Sequence, residues 1–165
     1  MKKTYKVGSK MLISAAKKGE LDVVLYLTKY DVDVNAVDDK EYTALMYAVI
    51  NNNLDVAKCL IEHGADVNAT REKRGSPLIL ASMLKNLKIV SILVEGGANI
   101  NNTDKDGWDA LMFAAGEGSL DIVKYLVRHG AEVNRKNKDG LTALAYAEEK
   151  DHSDVIDYLR EMSLL

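Results

Sequence analysis

One cysteine, Cys59, stands in a chain of 165 residues, so no disulfide can close within it. A reducing compartment, the cytoplasm, is the simplest setting for such a chain. Proline is equally scarce: Pro77 is the single one, and with eleven glycines it excludes a collagen-like or proline-rich low-complexity chain. Charge of one sign is missing too. Lysine and arginine number 22 against 25 aspartates and glutamates, a formal charge of −3, so the sequence lacks the basic excess of a nucleic-acid binder and no nucleic-acid partner is expected. No stretch approaches the roughly 18 apolar residues that would cross a bilayer, so no membrane partner is expected. The start is basic, with Lys2, Lys3, Lys6, Lys10, Lys17 and Lys18, but Tyr5 to Ala16 is broken by Lys6, Ser9 and Lys10 and has no continuous apolar region of the kind a signal peptide needs.

What the sequence has instead is a period of 33 residues. Val34, Val67, Ile100 and Val133 fall in register, each followed by Asn: Asn35, Asn68, Asn101 and Asn134. Leu12, Leu45, Leu78, Leu111 and Leu144 form a second ladder, Leu21, Leu54, Leu87 and Leu120 a third, and Leu27, Leu60, Leu93, Leu126 and Leu159 a fourth. A fixed period of this length marks a stacked array in which each unit completes its neighbour's core.

Within a unit the residues spell two helices. Thr43, Ser76, Asp109 and Thr142 each precede an apolar run and carry a side-chain oxygen able to accept from free helix amides, so they are expected N-caps. Pro77 then fits the first helical position, where a missing amide costs nothing. The first helix, about Thr43 to Asn51, sets Leu45, Ala48 and Val49 on one side. The second, about Leu54 to His63, carries the broader apolar face Leu54, Val56, Ala57, Leu60 and Ile61, and is expected to be the thicker inner layer. Gly64, Gly97 and Gly130 follow as terminators able to take positive φ. An extended piece then turns at Asp39-Lys40, Glu72-Lys73, Lys105-Asp106 and Lys138-Asp139, one acid and one base at each tip.

The string Gly-x-(Thr/Ser/Asp)-(Pro/Ala)-Leu-x-x-Ala-(Ala/Ser), then Leu-x-(Ile/Val)-(Val/Ala)-x-x-Leu and Gly-Ala-x-(Val/Ile)-Asn, resembles the ankyrin repeat over about residues 9 to 162. The resemblance implies an all-α, ankyrin-type α-solenoid of about five 33-residue helix-turn-helix repeats joined by β-hairpin-like fingers. The units would be 1–37 as an N-terminal cap, 38–70, 71–103, 104–136, and 137–165 as a C-terminal cap, in one domain. Some positions depart from the family pattern: Glu41 and Arg74 replace the turn glycine, Asp31 the glycine of Gly-Ala, and Ile13, Met46, Ile79, Met112 and Ala145 the histidine. In unit one Lys10 holds the cap position, leaving Ser9 as the expected substitute, and Leu164 and Leu165 are expected to fray.

Catalytic chemistry needs convergent groups, and the spacing supplies none. His63 and His129 are two units apart, on the order of 20 Å at helix spacings of 8–10 Å, too far to share one zinc with ligand bonds of about 2 Å. His152 sits among Asp151 and Asp154 as a polar surface group. Asn102 to Gly107 imitates a calcium loop, but Phe113 stands where the bidentate glutamate belongs. Gly116-Glu117-Gly118 lacks the Lys-Ser/Thr of a phosphate cradle, and Cys59 reads as a packing thiol. The sequons at Asn68 and Asn101 belong to the repeated Val-Asn register. No enzyme activity, cofactor or metal is expected; an enzyme or toxin-like accessory protein with an unrecognised active site is the alternative.

The function implied is a non-catalytic protein-protein interaction module binding a partner protein on its concave face. The register just after the turn reads Tyr42, Gly75, Trp108 and Leu141; those at the first-helix end read Lys17, Ile50, Met83, Gly116, Glu149 and Lys18, Asn51, Leu84, Glu117, Lys150. The expected contact set is Tyr42, Met46, Ile50, Met83, Leu84, Trp108, Met112, Glu117 and Leu141, because contiguous apolar surface marks binding sites and Trp and Tyr anchor them. A monomer is expected, with two alternatives for the patch: Met83 and Leu84 packing under a finger, or the patch pairing with itself. On this reading Trp108→Ala leaves the melting temperature nearly unchanged.

Overall fold

The computed structural model describes residues 2–30, 32–70 and 75–164, with side chains from Val7 onward. The readings of Asp31, of the Arg71–Arg74 turn and of Leu165 lie outside the described residues. Helices come in pairs: α1 Lys2–Lys18 with α2 Leu21–Thr28, α3 Ala44–Ile50 with α4 Leu54–Glu62, α5 Pro77–Met83 with α6 Leu87–Glu95, α7 Ala110–Gly116 with α8 Leu120–Arg128, and α9 Ala143–Glu149 with α10 Ser153–Met162. Among the described residues no strand forms; Thr103 and Asp109 make an isolated antiparallel bridge, and Gly75 also holds a bridge position. At three of the four expected fingers the chain makes a tight turn: the Asp38, Asp104 and Asn137 amides donate to the carbonyls of Tyr42, Trp108 and Leu141 at 3.1, 2.8 and 3.0 Å.

Three of the four expected caps form. Thr43, Asp109 and Thr142 accept from the amides of Met46, Met112 and Ala145. Ser76 does not cap α5, and its buried hydroxyl has no hydrogen-bond partner among the described residues. Ser9 is not a cap either. α1 begins nine residues before the register at which α3 begins, so Ser9 lies inside the helix and donates to the carbonyl of Asp33 at 3.3 Å.

The layers reverse the expectation for the second helices. α3 buries five of its seven residues and α5 six, against four of nine in α4 and three of nine in α6 and in α8. The short odd-numbered helices therefore form the dense layer, each packed on the next, and the even-numbered helices pack more loosely on one another outside it. Small residues explain the closeness: Ala44, Ala48, Ala81, Ala110, Ala114, Ala115, Ala143 and Ala147 are buried along this layer and let backbones approach. The leucine ladders run through the same core, with Leu60, Leu93, Leu126 and Leu159 fully enclosed.

The repeated asparagine bolts unit to unit. The Asn35 side-chain amide donates to the Gly64 carbonyl at 3.1 Å, and its oxygen accepts from the Asp66 amide at 2.7 Å. Asn68 does the same to Gly97 and Asn99, and Asn101 to Gly130 and Glu132. Each clamp holds the next unit's terminator, where Gly64, Gly97 and Gly130 take φ of 86°, 90° and 96°. A second tie crosses the turns within helix pairs: Asn53 donates to the Ala16 carbonyl, Asn86 to Asn52, and His152 Nε2 meets the Gly116 carbonyl at 3.0 Å.

Asn68→Ala removes two inter-unit hydrogen bonds, each contributing about 0.5–1.5 kcal/mol, so a loss of about 1–3 kcal/mol is expected in urea denaturation. Asn134 is exposed and its side chain enters no such clamp among the described residues. Asn134→Ala should leave the midpoint unchanged, and equal losses for both substitutions would refute the clamp as a source of stability.

Candidate functional site

The finger bases and the ends of the odd helices are the surfaces the solenoid positions most repetitively. At three of the four bases, among the described residues, one side chain organises the turn. Asp38 Oδ1 accepts from the amides of Lys40 and Tyr42, Asp104 from Asp106 and Trp108, and Asn137 from Asp139 and Leu141, all at 2.9–3.0 Å. The residue nine positions on completes the arrangement: the Tyr47 hydroxyl donates to Asp38 Oδ2 at 2.7 Å, and Asn137 Nδ2 donates to the Tyr146 hydroxyl at 2.9 Å. Burial works against ionisation of Asp38, but the bonds from Tyr47, Tyr42 and Lys40 outweigh it and hold the carboxyl below its ordinary range. Unit four has Phe113 in the tyrosine register and instead stacks rings.

Of the expected contact residues, Met83, Leu84, Leu141 and Glu117 are exposed, and Tyr42, Ile50 and Trp108 are half-buried. Met46 and Met112 are corrected: at 0% and 1% exposure they are core. Their register points into the odd-helix layer, where Ile79 is buried alike. The remaining residues fall in two strips. Tyr42, Trp108 and Leu141 line the finger bases, while Ile50, Met83, Leu84 and Glu117 mark the far ends of α3, α5 and α7, separated by seven-residue helices about 10 Å long. Lys85 pairs with Glu117 at 3.3 Å across the second strip.

Aromatic residues outside the expected set continue the first strip. Tyr42 lies 5.0 Å from Tyr47, whose ring carries Lys17 Nζ at 5.3 Å. Trp108 stacks on Phe113 at 4.9 Å and meets Tyr146 of the next unit at 3.8 Å. The signal for this row was the register Tyr47, Leu80, Phe113, Tyr146, which alternation of helix faces alone does not separate from core. Trp108 is consequently no free-standing surface anchor, because its ring bridges two units.

Asp109 is the one buried carboxylate in the cap register. Burial pushes its pKa up; the Met112 amide at 2.8 Å and the Arg135 guanidinium, whose Nε lies 3.7 Å from Oδ2, offset this in part. Arg135 also pairs with Glu132 at 2.9 Å. Cys59 is buried, and burial likewise raises its thiol pKa, which disfavours the nucleophilic thiolate. His63 and His129 each place Nδ1 2.7 Å from the carbonyl four residues back, and His129 stacks on Tyr125. Asp104 Oδ1, the centre of the calcium-like stretch, is occupied by its own turn amides. Among the described residues no group of three or more His, Cys, Asp or Glu is arranged to hold a metal.

Two outcomes are expected. Trp108→Ala strips Phe113 and Tyr146 of a ring partner, each pair contributing about 0.5–1.5 kcal/mol beyond area, so thermal unfolding should shift down by about 1–3 kcal/mol, contrary to the sequence-based expectation. Asp109→Thr keeps the cap oxygen and removes a charge the fold disfavours. A carboxyl whose pKa is raised on folding binds its proton more tightly folded than unfolded, so stability falls as pH rises from the ordinary carboxylate value through the raised one. The threonine variant should therefore be the more stable at pH 7, and its advantage should vanish below the ordinary carboxylate range; a pH-independent difference would refute this.

A search of curated proteins returned no match. A family model described as ankyrin repeats in three copies matches residues 1–71 and 78–163. With paired helices and one inter-unit clamp recurring across the match, the chain belongs to the ankyrin repeat family.

Proposed function

We propose that this protein is a non-catalytic binding module that holds a partner protein along the concave side formed by the finger bases and odd-helix ends. Ankyrin repeats are generally protein-protein interaction modules, which supports the class of function. The observation that carries the placement is the exposure of Met83 and Leu84 at the end of α5. Their registers hold lysine, asparagine, glycine or glutamate in most other units, on the same backbone. Nothing in the solenoid requires apolar side chains there, and exposed apolar residues beside the half-buried Ile50 form the kind of surface that partners cover. Lys17 and Lys18 toward one end and Glu117 and Glu149 toward the other would orient that partner.

Leu84→Asp tests the reading. An exposed substitution changes stability by about 0.5 kcal/mol or less, so the denaturation midpoint should hold. A partner captured from the source cell by the unaltered protein should bind the variant about 2 kcal/mol more weakly in titration calorimetry, the scale of an interface hot spot. Undiminished affinity would move the site elsewhere on the molecule.

A further inference from the structure

The first helix pair exposes residues that every other pair buries. Met11 is 51% exposed, whereas its register mates Ala44, Ala110 and Ala143 are at 1% or less. Val23 is 37% exposed, whereas Val56, Ile89, Ile122 and Val155 are at 2% or less. Tyr26 is exposed, whereas in the same register Cys59 is buried and Ile92, Tyr125 and Tyr158 are half-buried. In units two to five these positions are covered by the preceding helix pair, α1 on α3 and α2 on α4, and so on. The outer side of α1 and α2 thus presents the same stacking registers that the solenoid uses internally, exposed among the described residues. Val7, one helical turn before Met11, and Tyr30, whose ring lies 4.9 Å from Tyr26, extend it.

The opposite end of the stack is built differently. Glu148 is exposed where Ala16, Val49, Ser82 and Ala115 are buried, and it pairs with Arg160 at 2.7 Å. A charged pair in that register does not complement an apolar stacking face, so head-to-tail stacking of copies is disfavoured. Face-to-face pairing of two copies would bring like charges together, Lys10 and Lys29 on each. Lys10 and Lys29 are exposed at the margins and enter no ion pair among the described residues.

We propose that this end face docks an amphipathic helix of another protein whose apolar stripe is bordered by Asp and Glu, seated as a preceding helix pair would be. Continuity with the internal stacking register supplies the apolar contact and the unpaired lysines supply the preference for acidic borders. The surface is distinct from the concave strips, so two partners can be held at once.

The probe is a stapled helical peptide of about 18 residues, five turns, with a leucine stripe bordered by Glu, compared with the same stripe bordered by Lys and with vesicles of equimolar phosphatidylcholine and phosphatidylserine. The acidic peptide should bind by fluorescence anisotropy. Met11→Gln with Val23→Thr should weaken it by at least about tenfold, as should Tyr26→Ser alone, the effect expected of central anchors. Leu84→Asp should leave peptide binding unchanged, which separates this face from the concave one. Equal binding to the double variant, preference for the Lys-bordered peptide, vesicle binding without peptide binding, or a dimer in sedimentation that the double variant abolishes would each overturn the proposal.

Discussion

Everything in this fold depends on one condition: a helix pair cannot enclose its own apolar side and must borrow a wall from the next pair. The alanines of α3, α7 and α9 meet that condition by close approach, and Leu60, Leu93 and Leu126 fill what the alanines leave open. Dispersion and burial are non-directional, however, and would tolerate a helix pair sliding along its neighbour. The asparagine clamps remove that freedom. Each fixes the distance from one unit's extended segment to the next unit's terminating glycine through two directional bonds. Burial supplies the affinity between units and the clamps supply the register.

The turns between paired helices show how neighbours decide what a position tolerates. Gly19, Asn52, Lys85, Gly118 and Asp151 share one register and all take positive φ, between 56° and 76°. That conformation costs roughly 1–2 kcal/mol for a residue with a Cβ, yet three of the five are not glycine. Glycine is kept where the following unit intrudes. A Cβ on Gly118 would lie 2.6 Å from the His152 ring, and one on Gly19 2.9 Å from the Asn53 side chain. So the Gly116-Glu117-Gly118 stretch, which imitates a phosphate cradle, is shaped by a histidine reaching back across the seam.

Periodicity made the array legible because stacking forces equivalent positions into equivalent surroundings; the ladders, three of the caps and the terminators follow from it. What it could not rank was depth. Met46 and Met112 share a register with Ile13 and Ile79, and a position apolar in every unit reports enclosure, whereas the register of Ile50, Met83, Gly116 and Glu149 changes character between units and is not enclosed. The same reasoning identifies the dense layer. Five or six buried residues in a seven-residue helix mean neighbours on nearly every side, and the broader apolar face of α4 or α8 still leaves Asp55, Lys58 and Asp121 in water. Ser9 was misread for another reason, since a cap is inferred from where a helix starts and α1 runs nine residues beyond the period.

Trp108 belongs to the seam between units and, in the proposed function, to recognition as well. Its indole lies against Phe113 of its own helix and Tyr146 of the next unit, so the ring belongs to the seam between units four and five as much as to the surface. Tyr146 is in turn held by Asn137, which shapes the last finger and therefore the placement of Leu141. A ligand pressing on the outer side of Trp108 would act on a ring already supported from below, which lowers the ordering cost of using it as an anchor. Tyr42 lies against Tyr47 of its own helix pair, and in the register that Tyr146 fills for Trp108 the next unit carries Leu80. Trp108 thus sits where it also braces the final pair of helices.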